Sequence, residues 1–133
     1  MAIEAYSLQN NGNRKLSANF NVREFRCKDG SDPIFVDSDL VKLLQQIRDH
    51  FGKAVNINSA FRTASHNAKQ KESSKYSQHL YGKAADIRIT GVSVDALADY
   101  AEKLLGNTGG VGRYYDKGFV HVDVRAVKSR WKG

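Results

Sequence analysis

The chain has a single cysteine, Cys27, in 133 residues, which excludes an internal disulfide and a thiolate-rich metal cluster alike. A metal site, if there is one, is then expected to use His and carboxylate side chains. Proline is equally scarce, Pro33 alone, and neither an internal repeat nor a low-complexity tract marks a linker. The expectation is one domain over residues 1–133 with a somewhat irregular N-terminal third. No stretch approaches the roughly 18 consecutive apolar residues of a membrane span, and Met1 to Tyr6 lacks the basic start and apolar run of a secretion signal. A chain without an export signal of its own would reach a target outside the cytoplasm only by release or delivery.

Negative charge is in short supply: 14 Asp plus Glu face 21 Lys plus Arg, leaving a formal charge of +7. Such a surplus attracts anionic partners at long range, and both nucleic acid and the bacterial envelope are anionic. The basic residues are dispersed, except for Arg125, Lys128, Arg130 and Lys132 around Trp131. That tail reads as a solvated basic surface, and no nucleic-acid partner is expected.

What is present suffices for one hydrophobic core, with 41% of residues apolar. Asn10-Asn11-Gly12-Asn13 reads as a turn between two extended runs, after which Phe20, Val22 and Phe25 anchor the segment. Ser38 reads as the N-cap of a helix that aligns Leu40, Leu43, Leu44, Ile47 and Phe51 and stops at Gly52. A strand over Ala54 to Asn58 points Val55 and Ile57 inward, a short helix covers Ser65 to Lys71, and the polar stretch Glu72 to Tyr81 reads as a loop. A second strand, Ala84 to Thr90, separates Ala85, Ile87 and Ile89 from Asp86 and Arg88. Ser93 caps a second amphipathic helix closed by Gly106, and strands Gly110 to Tyr114 and Phe119 to Val124 flank the turn Asp116-Lys117-Gly118. This order predicts an α+β fold, a small and mostly antiparallel sheet backed by helices.

The last of these strands alternates Val120, Val122 and Val124 with His121, Asp123 and Arg125, one apolar face and one chemically armed. Upstream, Ser77-Gln78-His79-Leu80-Tyr81-Gly82-Lys83-Ala84-Ala85-Asp86 places a His on a loop seven residues before an Asp on a strand's polar face, with Gly82 to allow a tight turn between them. Catalytic zinc is held by three protein ligands drawn from His, Asp and Glu, with a position left open for water. His79, Asp86 and His121 supply such a set.

These residues resemble a known family, the zinc D-alanyl-D-alanine carboxypeptidases and related murein endopeptidases, whose metal site is shared with lysostaphin-type peptidases and hedgehog domains. Its pattern Ser-x-His-x-x-Gly-x-Ala-x-Asp is matched by Ser77 to Asp86, its final strand His by His121, and its arginine-bearing strand end by Ile57 to Thr63; the likeness runs from about residue 19 to 131. The resemblance implies a hedgehog/D-Ala-D-Ala peptidase-like fold and hydrolysis of peptide bonds in peptidoglycan stem peptides, as a carboxypeptidase, an endopeptidase or a phage-type endolysin. It implies one zinc ion per chain on His79, Asp86 and His121, a monomer, Arg62 steadying the substrate or the developing oxyanion, and Ser77 bonding the substrate's carboxylate end.

The pattern departs from the family at one place. Many members carry the general base, a Glu or Asp, three residues before the final zinc His; here that residue is Gly118, and Phe119 stands where several members have another His. Asp123 is the favoured carboxylate, as base or as a partner of the site, because a strand fixes its direction; if it serves only as the acceptor that holds His121, Asp116 on the turn becomes the candidate. The missing carboxylate also motivates an alternative, a wall-binding or particle-tip module that keeps the metal site without catalysis. His50 at a helix C-terminus, His66 beside Asn67, Cys27 as a buried thiol, and Tyr81, Tyr114 and Tyr115 beside glycine turns read as structural.

Overall fold

The structure is a computed structural model that describes residues 3–69 and 77–133. Over these residues it is an α+β fold with three small sheets. The largest has five strands in the order β5 (Asn56–Ser59), β6 (Ala84–Arg88), β8 (Phe119–Asp123), β7 (Gly110–Tyr114) and β9 (Ser129–Lys132). All its pairings are antiparallel except β7 with β9. Two-stranded sheets join β1 (Ile3–Ser7) to β4 (Pro33–Asp37) and β2 (Lys15–Ser17) to β3 (Phe20–Asn21).

Two amphipathic helices back the five-stranded sheet. In α2 (Ser38–Phe51) Leu40, Val41, Leu43, Leu44 and Ile47 are buried, and in α4 (Val94–Leu105) Leu97, Ala98 and Ala101 are. They share one cluster with Ala85, Ile87, Val111, Val120 and Val122 from the sheet. Each Leu, Ile or Val so buried stabilises by roughly 1.5–3 kcal/mol relative to exposure, so this face of the sheet is firmly committed to the core. By the period of two, the residues between them on β6 and β8 are committed to the other face.

Several boundaries differ from expectation. The N-cap of α2 is Asp37, whose side chain accepts from Asp39 N at 2.9 Å; Ser38 is already helical. Asn10 and Asn11 lie in a short helix, α1 (Leu8–Asn11), because Ser7 Oγ accepts from Asn10 N and turns the chain at once. Strand β5 starts at Asn56 and extends to Ser59. Helix α3 spans Ala64–Ala68, capped by Thr63; Lys71, its expected end, and Glu72 to Tyr76 of the expected loop lie outside the described residues. Gln78–Tyr81 is a 3-10 turn, not a loop, with Ser77 as its cap.

The C-terminal tail is the largest correction. Its end is an edge strand, β9, with Lys128 and Lys132 exposed as a solvated basic surface would have them but Arg125 and Arg130 partly buried. Arg130 turns inward and donates to the carbonyl of Gly106 at 3.0 Å and to that of Gly109 at 2.6 Å, which also accepts from Ser129 N at 3.0 Å.

Candidate metal centre

Sheet register assembles most of the site as a single row of residues. Ser59 pairs with Asp86, Asp86 with His121, His121 with Gly112, and Gly112 with Trp131, from β5 across to β9. All sit on the face turned away from the helices. Gly112 keeps the row open: a Cβ there would lie 2.5 Å from the Trp131 ring, which instead leans toward His121 with 5.0 Å between ring centroids.

His79 enters from outside the sheet on the 3-10 turn. Ser77 Oγ accepts from His79 N at 3.2 Å and fixes the start of that turn. Gly82 ends it with φ at +69°, and a Cβ there would stand 2.3 Å from the Phe35 carbonyl oxygen on β4, so both conformation and space demand glycine. His79 Nε2 lies 3.3 Å from Asp86 Oδ1, and His121 Nδ1 lies 3.0 Å from the same oxygen. One donor atom from each of the three residues thus falls within 4.8 Å of the others, and all three residues are buried.

The outer edges of both rings are fixed by acceptors. His79 Nδ1–H donates to the Ala60 carbonyl at 2.6 Å, which leaves the Nε2 lone pair facing Asp86. Burial lowers the His79 pKa, a trend that the Asp86 carboxylate only partly offsets. Around His121, burial also disfavours charge, yet hydrogen bonds and attraction from Asp123 and Asp86 outweigh it and raise the pKa. Asp86 is pushed up by burial but held well below the ordinary carboxylate range by His121 and His79. A carboxylate oxygen and two imidazole nitrogens, each ring anchored by an acceptor at its far nitrogen, form a donor set that fits a zinc-type ion.

Asp123 has no exposed surface, and both of its oxygens are committed. Oδ1 accepts from Gly110 N, Arg125 N and Arg125 Nε at 2.9, 3.1 and 2.8 Å; Oδ2 accepts from His121 Nε2 at 2.7 Å and Arg125 Nη2 at 2.6 Å. Burial raises its pKa, but His121 and Arg125 hold it far below the usual range. Asp116 is exposed on the β7–β8 turn, beyond the Tyr114–Phe119 pair. Arg62, between β5 and α3, is largely buried with its guanidinium spread over three partners: Asp86 Oδ2 at 3.3 Å, Asn67 Oδ1 at 3.2 Å and Ser59 Oγ at 3.1 Å. Burial lowers its pKa and Asp86 counters this, which places a cation directly beside the cluster.

A sequence profile of the family described as Peptidase M15 matches residues 15–123, a span that contains His79, Asp86, His121 and Asp123. The chain belongs to the peptidase M15 family. This M15 chain is also 35% identical over 105 residues to the probable peptidoglycan L,D-endopeptidase MepK of Haemophilus influenzae, an alignment that covers 74% of the chain and 55% of the relative. It therefore spans about half the length of that curated relative.

Cys27 and His50 fall where the plainer readings put them, whereas Tyr81 and Tyr115, read as packing residues, do not pack inside. His50 ends α2 and stacks on Tyr100 at 3.7 Å. Tyr81 and Tyr115 are exposed, and Tyr114 OH accepts from Trp131 Nε1 at 2.9 Å. Sequence reasoning missed Trp131, Asn67 and Ser59 as neighbours of the site. The alternation of Ser129 and Trp131 with Arg130 and Lys132 was a usable strand signal, whereas nothing around Asn67 distinguishes it from a helix-capping polar residue.

Proposed function

We propose that this chain is a zinc-dependent peptidase that cleaves peptide bonds in peptidoglycan stem peptides, with His79, Asp86 and His121 as the protein ligands of one ion. The observation that carries the reading is the convergence of His79 Nε2, Asp86 Oδ1 and His121 Nδ1 beside the Arg62 guanidinium. Family membership supports peptidase chemistry, and the relative's name supports peptidoglycan as the substrate class. Zinc bound there supplies Lewis acidity, polarising the scissile carbonyl and acidifying water.

The chain's own residues do the rest. Arg62 offers N–H donors and positive charge where an oxyanion develops, and Asp86 with Asn67 and Ser59 prevents it from swinging away. Trp131 and the His121 ring wall one side of the row and restrict water. Asp123 fixes the His121 tautomer; with five donors on its two oxygens it has no free lone pair directed at a substrate, so it is the positioning alternative, not the base. That leaves Asp116, the other carboxylate considered from sequence, as the candidate base; it lies on the exposed β7–β8 turn, beyond a pair that is itself two pairs from His121–Gly112, so it meets a metal-bound water only if that turn folds over the row. Ser77, although its oxygen caps the His79 turn, keeps its hydroxyl proton for a substrate carboxylate.

Mass spectrometry of sacculi digested by the zinc-loaded protein tests this reading. New amino termini within stem peptides indicate endopeptidase action, and free D-alanine indicates a carboxypeptidase. Wall binding without product would support the catalytically silent module instead. Asp116→Asn is expected to lower kcat by 10²-fold or more, the usual scale of general-base catalysis, with zinc content unchanged.

A further inference from the structure

A second group of metal-ligating side chains lies apart from the row just described. Cys27 follows the 3-10 turn Val22–Phe25, Asp29 is two residues on, and His66 is in α3; the thiol sulfur, a carboxylate oxygen and an imidazole nitrogen fall within 4.8 Å of one another. Cys27 is fully buried, Asp29 is exposed and His66 is half-buried, so the cluster has a protected floor and an open rim. We propose that Cys27, Asp29 and His66 form a second metal site, for a thiophilic divalent cation of the zinc or cobalt type.

Three features beyond proximity support this. The first is chemical: a thiolate, an imidazole and a carboxylate together suit zinc-type ions, with bonds of about 2.0–2.3 Å, and leave a coordination position on the solvent side. The second is that the donors are already held. Thr63 N–H donates to Cys27 Sγ at 3.5 Å, an interaction that favours sulfur as an acceptor. Thr63 Oγ1 donates to one oxygen of Asp29 at 2.9 Å and Ser31 N to the other at 2.9 Å. His66 is fixed through its backbone, because the same Thr63 hydroxyl accepts from His66 N at 3.2 Å and caps the helix.

The third feature is position. Residues 61–63 form a strip whose alternate members face opposite ways: Phe61 N–H donates to Phe25 O and Thr63 N–H to Cys27 Sγ, while Arg62 N–H between them donates to His79 O. Asn67, next to His66, accepts from Arg62 Nη1 at 3.2 Å. A cation on Cys27, Asp29 and His66 therefore ties the Cys27 loop to α3, directly after the segment that carries Arg62. It braces the guanidinium without touching the first centre. The site itself is independent of the peptidase reading; only the consequence for Arg62 rests on it.

Cobalt titration of the metal-free full chain tests the proposal, because only this second site contains sulfur. The expected result is a thiolate-to-cobalt charge-transfer band in the near ultraviolet that saturates by two equivalents in wild type and with one equivalent in His121→Ala, in which the first centre is disabled. Cys27→Ser should abolish the band. Since Cys27 is buried and its replacement could disturb folding, His66→Ala is the second variant: it should weaken the band-forming affinity at least ten-fold while circular dichroism stays native. Cobalt uptake by wild type without the sulfur band would overturn the proposal, as would a band of unchanged affinity in both His66→Ala and Asp29→Asn. In contrast, failure of the His, Asp, His centre would appear as loss of the sulfur-free absorption with the charge-transfer band intact.

Discussion

Replacing Asp123 by Asn separates positioning from proton transfer at the proposed zinc centre. The two side chains have the same shape, which matters in a pocket where Gly110 N, Arg125 N, Arg125 Nε, Arg125 Nη2 and His121 Nε2 all point at the carboxylate. An amide has one oxygen for these five donors. If that oxygen stays with Gly110 N and Arg125, the amide NH2 confronts His121 Nε2–H, and the ring escapes the clash by moving its proton to Nδ1, the atom that faces Asp86 at 3.0 Å. That nitrogen is then blocked for a cation. Loss of such a ring-holding acceptor typically costs 10- to 100-fold in metal affinity, about 1.4–2.7 kcal/mol. We expect the zinc Kd of Asp123→Asn, measured by competition with a chromophoric chelator, to rise by this factor. At saturating zinc, kcat on a stem-peptide substrate should return to within about ten-fold of wild type, since a lost base would cost roughly 10²–10⁴. An unchanged Kd would refute the tautomer argument, and a kcat that collapses at full occupancy would make Asp123 the base.

Arg62→Ala should lower kcat by about 10²–10³-fold, as for loss of an oxyanion donor, with zinc stoichiometry retained by elemental analysis; a wild-type kcat would remove Arg62 from the mechanism. Gly82→Ala combines a left-handed φ with a Cβ pressed on the Phe35 carbonyl and should destabilise by on the order of 3 kcal/mol in urea unfolding, whereas a change under about 1 kcal/mol would show that the turn can relax. In the metal-free protein, Asp86 and Asp123 have folded pKa values below their unfolded value of about 3.9, so the unfolded state takes up more protons in acid. Their stabilisation is complete above that pH and is lost as pH falls through and below about 4; chemical denaturation between pH 6 and pH 3 should show this slope, and Asp123→Asn should flatten it.

How much of this was visible in the sequence depended on how local the cause was. Leu40, Leu44 and Ile47 announce α2 because helical spacing is a property of neighbours, and Val120, His121, Val122 and Asp123 announce β8 for the same reason. His79, Asp86 and His121 were legible because their spacing resembles a family motif and because the period of two puts Asp86 and His121 on the polar faces of their strands. Much of what the sequence left open was set by distant partners. At Asp123 only the Gly110 N–H arrives when β7 and β8 pair; the bonds from His121 and Arg125 come from two residues away on the same segment, and they escaped the sequence reading because side-chain direction past the strand end is not set by the period of two. The parallel docking of β9 on β7, which sends Trp131 over Gly112, has no short-range signature, so a basic tail was read as solvated. The conjunction of Cys27 with Asp29 and His66 likewise needs the long-range contact between Thr63 and the Cys27 loop.

The alignment of Asp86 beside His121 on adjacent strands makes the ion a witness to correct threading. If β8 slipped by a single residue against β6, valine would occupy the imidazole's place and the imidazole would be driven into the oily interior. Such a molecule would lose the proposed zinc centre at the two strands, so on that proposal the fraction of a preparation that holds zinc there counts the chains whose sheet closed properly. Occupancy of that proposed centre, measured apart from any metal on Cys27, is then a purity criterion for the fold, readable without any substrate.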